Sequence, residues 1–304
     1  DTFDHTREIF ETGYTRDNAV ELSGGDEKST FFVSAGNTYT KGIVKNNSDN
    51  NRTTIRANVS RNLSDKLSSS VNITYARTFS NRIQQGSNVS GIFLGGLRSP
   101  ADFSNDQYYG DYTNAAGVVL TDRQVSYRNP LGAGNPRYDN PNWTTNRVIN
   151  NSLVNRIIGS SELNYRPTSW LSFLNRIGVD TYTDRREAFF PRQSAAVLTG
   201  STREDNILQT QVNNDFIVRA NHSFSENFAV TGLVGSNLNE RRLDQLSVTS
   251  TNIINTLSPP QLNNSPATAR QPSNFKSVLR TAGVYGELDL ALLNQFYLSG
   301  TLRG

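Results

Sequence analysis

Along most of this chain, polar and apolar residues alternate one by one. Thr54-Ile55-Arg56-Ala57-Asn58-Val59-Ser60 and Ser70-Val71-Asn72-Ile73-Thr74-Tyr75 have a period of two, which puts the apolar side chains on one face of a strand. Runs of the same kind occupy 18–24, 29–39, 51–63, 66–82, 149–166, 170–185, 203–224, 227–247, 276–291 and 294–304, predicting an all-β fold of about ten strands. Several are two or three times the length of about five or six residues usual in soluble sheets. Strands that long with one greasy face need a very large sheet or a membrane. In 207–224 the even positions Leu208, Val212, Phe216, Val218 and Phe224 are apolar, while Gln209, Gln211, Asn213, Asp215 and Arg219 alternate with them. Phe228, Val230, Val234 and Leu238 repeat the pattern, with Leu233 as an exception on the other face. Lipid accepts the first set and a hydrated lumen the second. Backbone in lipid must be hydrogen-bonded throughout, so such strands belong to a transmembrane antiparallel β-barrel.

The connections strengthen this reading. Short turns at Gly24-Gly25-Asp26, Asn62-Leu63-Ser64-Asp65, Arg166-Pro167-Thr168-Ser169 and Ser225-Glu226-Asn227 alternate with long polar segments near 84–148, 187–201 and 248–275. Outer-membrane barrels have this asymmetry, with short periplasmic turns and longer outer loops. The first 16 residues read as irregular. Within 84–148, Val89, Ile92, Phe93 and Leu97 have helical spacing and predict one short helix over 88–97. The segment 248–275, with Ser258-Pro259-Pro260, Pro266 and Pro272, reads as loop throughout. Aromatics near strand ends (Tyr75, Phe79, Tyr165, Trp170, Phe189, Phe190, Phe296, Tyr297) suit interface girdles or ordinary sheet packing.

Composition narrows the class further. Mean hydropathy is −0.55 and no 20-residue apolar stretch occurs, which excludes a helical membrane protein but not a barrel. Cysteine and methionine are absent, and no signal peptide is visible. The pattern is interrupted at both ends, so the chain reads as an interior piece of a longer polypeptide. The 30 basic and 27 acidic side chains are interspersed, giving a formal charge of +3 without the concentrated basic face that nucleic acid requires. Arg56, Arg61, Arg156, Arg176 and Arg219 sit singly within strands and are expected on a wet barrel interior.

No catalytic constellation emerges. His5 and His222 are isolated, and Gly24-Gly25 and Gly95-Gly96 lack the Lys-Ser/Thr of a nucleotide loop. The expectation is a non-enzyme without a cofactor. A structural calcium in an acidic outer loop remains open, although no EF-hand spacing is present. Ligand or partner contact is expected in 84–148, where Tyr108, Tyr109, Tyr112, Tyr127, Tyr138 and Trp143 offer rigid rings to a sugar or peptide. The alternative role for that segment is packing against its own barrel or a partner.

Ordered segments carry a more specific likeness. They are Ala19 to Gly36 followed by Lys41-Gly42-Ile43-Val44, Gln85-Gly86-Ser87-Asn88, Tyr138-Asp139-Asn140-Pro141-Asn142-Trp143, Asn155-Arg156-Ile157-Ile158-Gly159, Leu171 to Asp180, and Arg280 to Gly286. Together they resemble the SusC/RagA family of TonB-dependent outer-membrane transporters. The resemblance implies a barrel of about 22 strands around a plug. It also implies energy from TonB-ExbB-ExbD, the outer membrane of Bacteroidota, a SusD-like surface lipoprotein, and oligosaccharide or peptide as substrate. Residues 1–304 would supply the N-terminal half of the barrel wall, with the plug and C-terminal strands outside this chain. A secreted or surface β-rich carbohydrate-binding or adhesion module, and a passive porin, are the competing readings.

Overall fold

The computed structural model describes residues 2–86, 88–129, 134–255, 261–293 and 295–304. Ten strands form one antiparallel sheet: β1 (Tyr14–Gly25), β2 (Ser29–Lys41), β3 (Asp49–Ser64), β4 (Leu67–Asn81), β7 (Ile149–Tyr165), β8 (Leu171–Phe190), β9 (Ser201–Ser225), β10 (Phe228–Thr251), β11 (Arg270–Leu292) and β12 (Phe296–Arg303). Their spatial order is their chain order, and the sheet is an open segment of barrel wall with β1 and β12 at its edges. A separate hairpin, β5 (Tyr109–Thr113) with β6 (Val119–Gln124), lies between β4 and β7.

Tight turns explain the meander. Asp26 Oδ1 accepts from Lys28 N at 2.8 Å and Ser29 N at 2.7 Å, so the first turn sits at 26–28, after the Gly24-Gly25 pair. Both glycines belong to β1. A Cβ on Gly25 would stand 2.4 Å from the Ser29 carbonyl oxygen, so close approach fixes that glycine. All five short turns lie at one end of the sheet and the long connections at the other.

The strands outrun their predicted bounds at the loop end. β8 continues to Phe190, and β10 and β11 reach Thr251 and Arg270, reducing the expected 248–275 loop to 252–269. Ser258-Pro259-Pro260 lies outside the described residues. Pro272 is inside β11, paired to Val248, at a ladder position where β11 has no N–H to give. The opening residues are also more ordered than expected. Helix α1 (His5–Ile9) is capped by Asp4, whose carboxylate accepts from Thr6 N and Arg7 N, and β1 begins at Tyr14.

Register turns sequence parity into two continuous faces. Val20, Ala35, Ile55, Tyr75 and Ile157 are successive cross-strand partners. So are Tyr165, Phe173, Val218, Val234, Gly286 and Leu302. This apolar face is exposed, with Val234 at 66%. The opposite face carries Asp17, Arg56, Asn72, Arg156, Asp180, Asn213, Asp215, Asn237 and Arg241, with Ile158, Leu233 and Leu279 as exceptions. Arg61 corrects one expectation. Its position is odd like those of Ile55 and Val59, so it stands on the apolar face at the turn end.

The buried apolar side chains lie elsewhere. Ile9, Val44, Ile92, Trp143, Val148, Phe189 and Ile253 all gather at the loop end. Phe189 is thus an internal packing residue, not part of an interface girdle. The 84–148 segment folds into a cap with two helices, not one. Helix α2 (Ile92–Arg98) begins later than the predicted 88, and α3 (Pro141–Arg147) was not anticipated. Asn140 caps α3 by accepting from Asn142 N at 2.8 Å, with Pro141 in the first turn. Ile9, Val44 and Ile92 form a small core, with Phe10 and Ile83 packed on it.

Trp143→Ala is expected to cost the cap about 3–5 kcal/mol. Hydrogen exchange should then accelerate in 88–148 while the β9–β10 ladder keeps its protection. Equal loss in both would show that the cap and sheet are one cooperative unit.

Candidate functional site

Two surfaces have the chemistry of recognition, and the sheet positions both. The polar face is cross-linked between neighbouring strands. Arg156 on β7 forks onto Asp180 of β8 through Nε and Nη2 at 2.8 and 2.5 Å, and Arg176 Nε donates to Glu162 at 2.9 Å. On β9 and β10, Asn237 donates to Asn213 and Asp215 at 2.9 and 2.6 Å, and Arg241 donates to Gln209 at 2.8 Å. Exposed pairs of this type contribute only about 0–1 kcal/mol each. Their consequence is a wet, hydrogen-bonding wall with fixed side chains.

The cap is held by buried polar groups. Asp139 accepts from Ser90 Oγ at 2.6 Å, Gln124 Nε2 at 2.9 Å and Ala195 N at 2.6 Å. Burial pushes its carboxyl above the ordinary range, against the pull of those three donors. Gln124 also donates to the Gln193 carbonyl and accepts from Asn140 N. Trp143 Nε1 donates to Ser194 Oγ at 3.1 Å. The cap is thereby fastened to the β8–β9 connection.

A second fastening secures α1. His5 Nδ1 lies 2.6 Å from Glu8 Oε2, and Nε2 lies 3.0 Å from the Pro100 carbonyl oxygen. Glu8 also accepts from Asn105 N and Nδ2 at 3.0 and 2.9 Å, and from Ser104 Oγ. Backbone bonds run alongside, from Phe3 N to Ala101 O and from Lys45 N to Ile9 O. Burial lowers the His5 pKa, but the Glu8 and Pro100 bonds and the Glu8 charge outweigh it, and the net shift is upward.

The structure assembles the six aromatic candidates only in part. Tyr108 and Tyr109 have ring centroids 5.0 Å apart, and the Arg147 guanidinium lies 4.5 Å from the Tyr109 centroid and 5.6 Å from that of Trp143. Arg147 is itself paired with Asp122. Tyr127 stands edge-on to Phe103, Tyr138 has Arg98 and Arg128 at 4.8 and 5.5 Å, and Tyr112 sits in β5 opposite Leu120. Tyr109 and Tyr127 are exposed. Trp143 is fully buried, so the expectation that it contacts a ligand is corrected: its ring is the core of the cap. The cationic partners Arg98, Arg128 and Arg147 were missed. Asn140-Pro141 was the available signal for α3, and with it for the placement of Arg147.

Beside the cap, Phe10, Val44, Ile83, Ile92, Phe93 and Leu94 line a cleft of about 630 Å³, and Phe93 and Leu97 are exposed. Among the described residues, no three His, Asp or Glu side chains gather as a metal site. No described helix is long and apolar enough to cross a membrane, which says nothing of strands. His5 and His222 lie at opposite ends of the sheet, His222 edge-on to Phe224.

No family model and no curated protein matches this sequence. Solved structures do. The RagAB peptide transporter matches at TM-score 0.74 and 16% identity, over 99% of this chain and 33% of that one. The fold is a segment of a RagAB-type β-barrel. The RagAB peptide importer in its closed-closed state gives 0.75, 16% identity and coverage of 100% and 33%. Its open-open state gives 0.76, 17% identity and coverage of 99% and 32%. The ferric-catecholate import receptor Fiu of E. coli K12 is more distant, at 0.53 and 10% identity over 96% of this chain and 42% of that one. The chain thus spans about a third of the RagAB chains it matches.

The raised His5 pKa sets a direction for the α1 fastening. Its contribution is full below the unfolded value of about 6.5 and is lost as pH rises through the higher folded value. Amide protection in 3–10 should therefore fall as pH is raised from about 6.5 through the higher folded value, and His5→Gln should flatten the profile. A pH-independent wild-type profile would remove His5 from the fastening.

Proposed function

We propose that this chain forms part of the wall of a TonB-dependent transporter in the outer membrane. The observation that carries the reading is the continuous exposed apolar face of ten paired strands, backed by a polar face. Water would penalise that apolar face and lipid would not. The whole-chain fold likeness to RagAB supports the same reading. A secreted binding module predicts shorter strands with both faces partly covered, which is not this arrangement. A porin shares the wall but not the energy source.

Substrate passes by binding and release without covalent chemistry. Peptide or oligosaccharide meets the loop end, where Tyr109 and Tyr127 present exposed rings and Tyr138 sits among guanidiniums. The polar face supplies backbone-like donors and acceptors along the passage. A SusD-like lipoprotein covers the loop end, and TonB acts through parts of the protein beyond this chain.

Two experiments bear on this. Val234→Arg places a charge within the apolar belt and should cost about 2–4 kcal/mol at midplane depth. It should abolish heat-modifiable gel mobility of the assembled barrel, while Asn237→Arg on the polar face preserves it. Equal assembly of both variants would sink the membrane assignment. In cells, deletion of TonB should stop uptake, and residual full uptake would favour the porin. The double variant Tyr109→Ala/Tyr127→Ala should raise the uptake KM several-fold with assembly intact; an unchanged KM would remove these rings from the substrate path.

A further inference from the structure

On β10 the outward positions from Phe228 to Leu238 are apolar or small, and on β11 those from Leu292 to Ala282 are likewise. Each stretch has the span of about 9–11 tilted residues needed to cross hydrocarbon. Both end at the same cross-strand pair, Glu240 opposite Arg280. This pair therefore stands where hydrocarbon gives way to headgroups. On β1, β2, β3, β7 and β8 the corresponding first positions past the apolar stretch are Asn18, Asn37, Thr53, Asn155 and Thr181, all neutral, and on β4 Arg77 stands there as a single charge. Paired charges gather at β10–β11.

The side chains there form a pincer. Glu240 accepts from Arg242 Nε on one oxygen and from Arg280 Nε on the other, at 2.5 Å for Arg280. Two guanidiniums are thus held around one carboxylate, engaged through Nε, which leaves their terminal nitrogens for a second acceptor. Both are open to solvent, at 61% and 69% exposure. Two outward pairs further from the belt, Lys276 meets Asp244 at 3.1 Å. Three cations face two carboxylates, so one positive charge is uncompensated. Leu208, Val212 and Val278 line a surface groove of about 550 Å³ together with Glu240, Arg242, Asp244 and Lys276, and Arg280 stands next to it through its bond to Glu240.

We propose that this outward cluster binds the phosphate of a phosphorylated glycolipid in the outer leaflet. The proposal rests on the membrane reading above. Paired guanidinium forks match phosphate geometry, and the groove's apolar floor accommodates the start of an acyl chain. Its height at the belt edge is where a headgroup phosphate sits and where a free solute has no apolar contact to gain. Lipid phosphate is therefore the occupant that uses both halves of the groove.

The test uses the complete barrel that contains this chain, in nanodiscs containing either bisphosphorylated lipid A or the same lipid dephosphorylated. Lipid retained after detergent exchange is counted by native mass spectrometry. The wild type should retain the phosphorylated lipid at least about five-fold better, the scale expected for one basic side chain at a charged membrane surface. Arg242→Gln/Arg280→Gln should abolish the preference, while Arg185→Gln, also outward but further from the belt, should keep it. Absence of preference in the wild type, or its persistence in the double variant, overturns the assignment. Displacement by millimolar inorganic phosphate alone would assign the cluster to free anions and overturn it as well. Failure of the barrel to enter nanodiscs would overturn the transporter reading itself, whereas entry without preference overturns only the lipid site.

Discussion

The sheet of this protein buries almost no apolar side chain, and that constraint governs everything else. In a soluble sandwich the apolar face of one sheet is covered by a second sheet about 10 Å away. Here the apolar residues of ten strands point outward together, and the described buried apolar residues all lie at the loop end. The sheet's own cohesion comes from its ladders, which leave its backbone paired from β1 to β12. An apolar surface so continuous is stable only against hydrocarbon. On the proposed reading, the polar face then lines the inside of the barrel.

The cap answers a different physical demand. A segment of that length between two strands cannot remain ordered without a core of its own. Its core is small: Trp143 on one side, and Ile9, Val44 and Ile92 on the other. Buried polar groups complete it. Asp139 and Gln124 bind three separate segments through side-chain bonds, and the His5–Glu8–Asn105 group ties the entry to β1 into the same assembly. Such groups are costly to bury unpaired, so the cap is specified by this hydrogen-bond network more than by apolar volume, even though Asp122 Oδ2, Ser126 Oγ and Thr144 Oγ1 are buried without a partner. This leaves its exposed aromatics fixed in place at the loop end.

The candidate site was legible only as a composition. The tyrosines of 84–148 marked a segment capable of recognition, but periodicity carries no information about which rings turn inward. Trp143 is the clearest case: the largest ring in the segment was needed to fill the cap, and its indole N–H found Ser194. The cations over Tyr109 and Tyr138 come from residues distant in sequence or from an unrecognised helix. Such pairings arise from folding and leave no local pattern.

The sequence by itself determined the strands, their two faces and the alternation of turns and loops, because each depends on neighbours one or two residues apart. Period-two hydropathy is a local property, and Asp26 or Pro167 acts within a single turn. Tertiary structure decided what depends on distant partners. It carried Pro272 into a strand, opposite Val248 of β10. It put Arg61 on the apolar face at the turn end, because face is set by register and depth by distance from the belt. It buried Phe189 and Trp143, and it set Glu240 against Arg280, forty residues apart in sequence, at the edge of the apolar belt. Local chemistry wrote the wall, while long-range pairing decided which of its side chains are packed, wet or available to a ligand.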